Sequence, residues 1–271
     1  MSSLFKYSKL GLLANVNSKK ISYSGYIISR NKKNTEFYGK RKKILVKQFI
    51  KLLTPSVLKL SELFGDQALK ILDLGCGDGV VLEALDSIRK GNNIKMYLYG
   101  LDLDEKSMAK IRCSSNKIIA SATEIPLANE SMSMVISSQM IEHLTVQDVR
   151  KVFSEVKRVL RPKGVFYIET PNPSSLLAKL MGKSWWMYLP EHLVLIPPKI
   201  LSQILVEHGF VEVAGKTRME IDEQINEVNE IIKRLPRLVQ LIPLRLLAFI
   251  FKNYILVSER GSITVIMAKR S

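Results

Sequence analysis

Two periods of apolar residues run along this chain, and the switch between them divides it. From Tyr38 to Leu53 the positions Ile44, Leu45, Phe49, Leu52 and Leu53 recur at helical spacing. Pro55 brings no N–H and crowds the preceding turn, so it predicts a break, with a second short helix through Leu63 to Gly65. Beyond Gly65, short apolar runs alternate with amphipathic ones. Strands are predicted at Leu69 to Leu74, Met96 to Leu101, Lys117 to Ala120, Ser133 to Ser138 and Val165 to Glu169. Helices are predicted at Val80 to Ile88, Glu105 to Arg112 and Thr145 to Leu160, the last stopped by Arg161-Pro162-Lys163-Gly164. Such alternation predicts βαβ units and a mostly parallel sheet. A helix from Pro197 to His208, stopped by Gly209, and two closing strands at Val211 to Val213 and Ile263 to Ala268 complete the pattern.

The chain accordingly divides into a basic, loosely ordered extension at 1–36, a domain at 37–217 with 259–271, and an apolar helical insertion at 218–258. The insertion's run from Leu235 to Val257 is interrupted by Pro236, Arg237, Pro243, Arg245 and Lys252. That is too polar for a spanning helix, which needs about 20 mostly uncharged residues. A lid, a dimer face and a membrane-contacting helix pair all stay open for it.

Charge adds a partner class. Lys and Arg number 41 against 25 Asp and Glu, a net charge of +16. Arg30, Lys32, Lys33, Lys40, Arg41, Lys42, Lys43, Lys47 and Lys51 gather before the first strand of the domain. The run reads either as a solvated helix face or as contact with phosphates, from an anionic membrane, nucleic acid or an anionic substrate. Only Phe37 and Tyr38 interleave with it, so base stacking, and with it nucleic acid, is not favoured. Cys76 and Cys113 form no CxxC pair and no metal-ligand cluster, so no metal is expected, and free thiols fit a cytoplasmic protein. Met1 to Leu13 is too short and too interrupted for a signal peptide.

The candidate chemistry sits at Asp73-Leu74-Gly75-Cys76-Gly77-Asp78-Gly79, where a buried strand enters a glycine turn and then a helix. The phosphate-binding GxxxxGK[ST] is absent, and a nicotinamide GxGxxG would need glycine at Val80. Asp73 at the strand end is a poor neighbour for a pyrophosphate and a good one for the ammonium of an amino acid. A second acid, Asp102, ends the next strand, where a carboxylate can accept ribose hydroxyls at the switch point of a doubly wound sheet. The two acids describe a ligand with an amino-acid end and a nucleoside end.

The ordered set Asp73-x-Gly75-x-Gly77-x-Gly79 with Asp102 resembles the first two motifs of class I S-adenosylmethionine-dependent methyltransferases. Val135-Ile136-Ser137-Ser138-Gln139-Met140-Ile141-Glu142-His143-Leu144 resembles the fourth-strand motif of the subgroup that includes ubiquinone-biosynthesis O-methyltransferases. Arg158 to Gly164 and Ile168 to Asn172 are similar to that subgroup's next helix, turn and strand. The resemblance implies a Rossmann-like seven-stranded sheet, its last strand antiparallel, with helices on both faces, N-terminal helices and the C-terminal insertion. It implies S-adenosylmethionine (SAM) as cofactor, bound by the loop of Gly75, Cys76, Gly77 and Gly79, with Gly75 and Gly77 lining its methionine part and Asp73 near its amino group. Asp102 would hold the ribose, Leu103 would pack on adenine, Ser121 and Ala122 would approach the base, and Ser138 and Gln139 would flank the methionine moiety. Ser121 stands where the family often has an acid, and Ser131-Met132-Ser133 where it has Ser-Phe-Asp.

Methyl transfer from a sulfonium asks the protein for alignment, water exclusion and sometimes a base. His143, His192 and Glu142 are the candidate catalytic groups, and Trp185, Trp186 and Tyr188 candidate walls of an acceptor pocket. The expected activity is methyl transfer to a small or lipid-linked acceptor, at oxygen. The alternatives are an RNA or protein methyltransferase and a non-catalytic SAM-binding module on a membrane surface. The Asn/Asp-Pro-Pro-aromatic run used on amino-group targets is missing, since Ser137-Ser138-Gln139-Met140 stands in its place.

Overall fold

The computed structural model describes residues 5–7, 13–15, 35–175, 178–179, 182–185, 187–218 and 263–271. Most of the 1–36 extension, Trp186 and the insertion beyond Arg218 lie outside them. Within the extension two three-residue strands, Phe5–Tyr7 (β1) and Leu13–Asn15 (β2), pair antiparallel, where the sequence pattern predicted no element.

Pro55 does not divide the N-terminal helical region. A single helix, Thr35–Phe64 (α1), runs through it. Phe49, Leu53, Val57 and Leu60 lie on both sides of Pro55 at spacings of four, four and three, and all four are buried. Burying each such side chain contributes roughly 1.5–3 kcal/mol, which together outweighs the ~3 kcal/mol penalty of an interior proline.

The main sheet follows from the predicted alternation. Leu69–Leu74 (β3), Met96–Asp102 (β4), Asn116–Ile119 (β5), Met132–Ser138 (β6) and Leu160–Pro171 (β7) are joined through Val80–Gly91 (α2), the single turn Glu105–Met108 (α3) and Val146–Val159 (α4). The predicted helix to Arg112 stops at Met108 because the chain turns back to bury Ile111 against Gly79. The predicted turn at Arg161–Gly164 is a bulge inside β7: Leu160 pairs with Met132 and Val165 with Met134, and Lys163 takes a φ of +66°.

After Val194–Leu195 (β8), which adds to β2, come the helix Pro198–Glu207 (α5) and the strands Phe210–Arg218 (β9) and Ile263–Arg270 (β10). The seven strands lie in the order β5-β4-β3-β6-β7-β10-β9, with β10 antiparallel to both neighbours. The fold is therefore the seven-stranded Rossmann-like α/β sheet. α1 and α2 cover one face through Leu53, Val57, Leu82 and Leu85; α4 and α5 cover the other through Val152, Phe153, Val156 and Leu205. Both β4 and β6 flank β3, so the chain reverses direction across the sheet there, and the loops after β3 and β6 part at their carboxyl ends.

Candidate cofactor and acceptor site

The three loop glycines have three different jobs, each with positive φ. A Cβ at Gly75 would stand 2.4 Å from Cγ of Met140, and one at Gly79 would stand 2.8 Å from Cγ1 of Ile111. These two glycines let the loop pack against the β6 exit and the segment after α3. Gly77, with φ of +50°, has open space around the missing Cβ out to 4 Å. It is the one of the three whose side-chain position no described residue fills.

At the ends of β3 and β6, or one residue beyond, lie buried polar atoms with no hydrogen-bond partner among the described residues: Oδ2 of Asp73, Oγ of Ser137 and Nε2 of Gln139. The parallel register sets Asp73 opposite Ile136 and Leu74 opposite Ser137, so the three belong to adjacent strand ends. Gln139 holds a φ of +52°, a conformation non-glycine residues rarely adopt, pinned by its N–H donating to Glu169 O at 2.8 Å. Burial, with the charges of Asp102 and Asp78 added, raises the Asp73 carboxyl from 3.8 to about 8. Burial also pushes the Cys76 thiol up, so it lines the loop as a thiol and not as a thiolate.

Asp102 is buried at the end of β4 and fastens two backbone turns. Its Oδ2 accepts from Gly77 N–H at 2.8 Å, and its Oδ1 from Asp104 N–H at 2.9 Å. Sequence reasoning assigned it to ribose alone; the structure adds this bracing of the glycine loop. Asp104 caps α3 by accepting from Lys106 and Ser107 N–H. Leu103 is 63% exposed, and Ile119, next to Asp102 in register on β5, is 57% exposed. The two form an apolar rim beside the carboxylate, of which Ile119 gave no sequence signal. Ser121 Oγ lies 2.7 Å from Thr123 Oγ1, and Ala122 packs against the core on the α4 face.

The basic run is split by the fold. Lys42 Nζ donates to Asp78 O at 2.9 Å and pairs with Asp78 at 3.4 Å and Glu83 at 2.7 Å. It ties α1 to the glycine loop and is thus removed from the predicted membrane-facing set, whereas Lys43, Lys47 and Lys51 are exposed.

The three candidate catalytic groups come together at the same edge of the sheet. Ser138 ends β6, and the single 3₁₀ turn Ile141–His143 follows it. Leu193 N–H donates to Glu142 O at 2.7 Å, which brings the His192 loop against that turn. The His143 and His192 rings meet edge to face with centroids 4.9 Å apart. Nδ1 of His143 lies 3.1 Å from Glu191 O, and Nδ1 of His192 lies 2.7 Å from Met187 O. Glu142 is buried and accepts from Thr170 Oγ1, at the end of β7, at 3.1 Å. Trp185 is buried, packs edge to face on Tyr188 and belongs to the hydrophobic core on the α1–α2 face.

Residues 72–168 match the model of a family described as methyltransferase domain. The chain is 34% identical over 105 residues to a probable S-adenosylmethionine-dependent methyltransferase of Mycolicibacterium smegmatis, covering 38% of each chain. It is 24% identical over 177 residues to a ubiquinone biosynthesis O-methyltransferase of Rhizobium johnstonii, covering 60% of this chain and 68% of the relative. It spans less than half the length of the mycobacterial relatives it matches. A crystal structure of a SAM-dependent methyltransferase from Archaeoglobus fulgidus superposes with a TM-score of 0.55 at 21% identity, over 82% of this chain and 94% of that one.

Proposed function

We propose that this chain, whose residues 72–168 match the model of a methyltransferase-domain family, is a class I S-adenosylmethionine-dependent methyltransferase that transfers the methyl group of SAM to an oxygen of a small or lipid-linked acceptor. The observation that carries the reading is the pair of buried, unpartnered atoms of opposite kind at the neighbouring ends of β3 and β6. Oδ2 of Asp73 suits an ammonium, and Nε2 of Gln139, with Oγ of Ser137, suits a carboxylate. Together they complement the two ends of an α-amino acid, and Asp102 with the Leu103–Ile119 rim suits a nucleoside. The residues present fit SAM.

When bound, SAM supplies a methyl carbon activated by its sulfonium. Transfer of that methyl to an acceptor hydroxyl would release the hydroxyl's proton, which His143 or His192 would take or pass to solvent. The chain's own part is alignment. Asp102 holds the glycine loop through Gly77 N–H, Lys42 holds it through Asp78, and Gln139 is fixed by Glu169. The Glu142–His143–His192 cluster follows β6, and in this reading it meets the polar group to be methylated. Oxygen as target is supported by the likeness to the Rhizobium enzyme and by Ser137 to Met140 replacing the run used on amino groups.

Among the described residues no helix is long and apolar enough to cross a membrane. Peripheral contact through Lys43, Lys47 and Lys51 and the 218–258 insertion belongs to the same proposal, as the route to a lipid-linked acceptor.

Asp102→Ala should weaken SAM binding ten- to a hundredfold, about 1.5–3 kcal/mol for a charge-assisted contact. It should also lower the melting temperature, because Gly77 and Asp104 N–H lose their acceptor. Calorimetry and a thermal melt together read both effects; unchanged affinity would remove Asp102 from the cofactor site. The acceptor class is tested by incubating purified protein with methyl-labelled SAM and separate quinol-precursor, glycan and RNA fractions. Label in the organic-extractable quinol precursors is the expected result. Label in RNA alone overturns the acceptor proposal. No label in any fraction, from protein that binds SAM, points to the non-catalytic alternative.

A further inference from the structure

We infer that the uncovered corner of the sheet at the amino ends of β3, β4 and β5 is a docking surface for single-stranded RNA. The crossovers from β3 to β4, β4 to β5 and β6 to β7 each carry a helix, whereas residues 120–131, from β5 to β6, carry none. Met96 and Leu98 of β4 are buried in the core under α1 and α2, so strand alternation turns Tyr97 and Tyr99 to the opposite face. With no helix over that corner, Tyr97 is 56% exposed and Tyr99 is half-buried.

Cations that lie apart in the sequence border the two rings. Lys70 is the register partner of Tyr97 on β3 and is exposed. Lys95 is exposed two residues before Tyr97. Arg161 reaches the same edge: its Nη2 donates to Ser133 Oγ at 2.7 Å, and that oxygen also accepts from Lys70 N–H at 3.0 Å. Among the described residues none of the three cations forms an ion pair, and Asp66, exposed in the loop before β3, pairs with none of them. The basic run before β3 held only Phe37 and Tyr38 for stacking; the fold sets other rings among other cations.

Two rings on alternate positions of one strand, beside cations without counter-charges, suit a chain of bases and phosphates. Bases stack on aromatic side chains whatever their identity, and the cations neutralise phosphates. A single strand is required, because a duplex keeps its base faces stacked inside. RNA is favoured over DNA, because the tyrosine hydroxyls and the exposed Asn116, register partner of Tyr99 on β5, can bond to a ribose 2′-hydroxyl. Tyr97 precedes Asp102 on β4 by five residues, about 17 Å at the usual rise of a strand, so RNA held here leaves the cofactor edge open.

The test is fluorescence anisotropy of a dye-labelled fifteen-nucleotide uridine oligomer added to the whole chain, with the matching deoxythymidine oligomer, polyglutamate and phosphatidylglycerol vesicles as competitors. The parent should bind the uridine oligomer, with affinity falling as salt rises. Tyr97→Ala should weaken binding at least fivefold, and Tyr97→Phe, which keeps the ring, should recover most of that loss. Lys70→Gln and Lys95→Gln should each lower the slope of log affinity against log salt by about one. Replacing Lys43, Lys47 and Lys51 of α1 with Gln controls for the net charge of +16 and should leave the ratio between parent and Tyr97→Ala unchanged. Tyr97 is exposed, so its replacement spares the core, and a thermal melt checks that. Folded parent that ignores the uridine oligomer at low salt overturns the surface. Equal binding by the parent, Tyr97→Ala and Lys70→Gln also overturns it, and assigns the affinity to diffuse charge. Competition by the deoxythymidine oligomer, polyglutamate or vesicles as strong as by unlabelled uridine oligomer overturns RNA as the occupant. SAM calorimetry on the same samples stands apart: Tyr97→Ala should bind SAM as the parent does, and loss of RNA binding with SAM binding intact leaves the methyl-transfer reading untouched.

Discussion

Gly77→Val should leave a folded protein whose affinity for SAM has fallen at least a hundredfold. The substitution puts a β-branched side chain at a φ of +50°, where strain of order 1–3 kcal/mol is expected. For a domain of this size that lowers the melting temperature by roughly 2–4 °C per kcal/mol. No described residue stands within 4 Å of the new Cβ, so there is no packing clash to add. In the proposed site the side chain enters space that the cofactor would take, and filling it would exclude the cofactor. Gly75→Ala is the informative contrast. Its Cβ would stand 2.4 and 2.9 Å from Cγ and Cβ of Met140, atoms near the backbone that cannot swing aside. That variant should lose stability and binding together, while Gly77→Val separates them. Calorimetry beside a thermal melt checks both, and normal SAM binding by Gly77→Val would make the loop a structural turn only.

What could be read from the chain was what lies close together in it. The strand, glycine turn and helix around Gly77 occupy some two dozen consecutive positions, and Asp102 is one βαβ step further on, so pattern and register placed them at the switch point. Distance in sequence hid the rest. Lys42 read as one of a run of solvated cations, and its acceptors, Asp78 and Glu83, lie 36 and 41 positions away. Proline at 55 signalled a helix end by its local chemistry, but apolar side chains on both sides of it are buried together and hold one helix through it. β9 was expected only at Val211 to Val213 because Lys216, Thr217 and Arg218 break the apolar alternation; pairing with β10 extends it to Arg218. Ser137 and Ile119 were passed over because nothing in their own neighbourhoods marks an orphaned hydroxyl or an exposed apolar rim. Asp73 was found, but its burial and the two carboxylates that face it appear only in three dimensions.

That burial makes the affinity for SAM depend on pH, with a sign set by Asp73. In the protein alone the carboxyl titrates near 8, raised by burial and then by Asp102 and Asp78. At neutral pH it is therefore mostly protonated, while the ammonium of SAM asks for the anion. Binding below pH 8 must release a proton, so affinity should rise with pH by up to about tenfold per unit between pH 6 and 7.5. Above the apparent pKa the slope should flatten. Asp102→Ala removes one of the charges that raise Asp73, so its slope should persist but flatten at lower pH. Asp73→Asn has no proton to release: its affinity should be ten- to a hundredfold weaker than the parent's at pH 7.5 and independent of pH. The same shift works against the fold. An acid whose pKa is raised in the native state is neutral there while ionised in the unfolded chain, so this group lowers stability progressively as pH rises from about 4 to 8. Asp73→Asn should therefore melt higher than the parent at pH 7.5 and no differently at a pH about one unit or more below 3.8, where the carboxyl is neutral in both states. Calorimetry in buffers of different ionisation enthalpy counts the released proton directly. Parent protein that binds SAM with no proton release across this range would show that Asp73 does not meet the ammonium, and would move the amino-acid end of the cofactor away from β3.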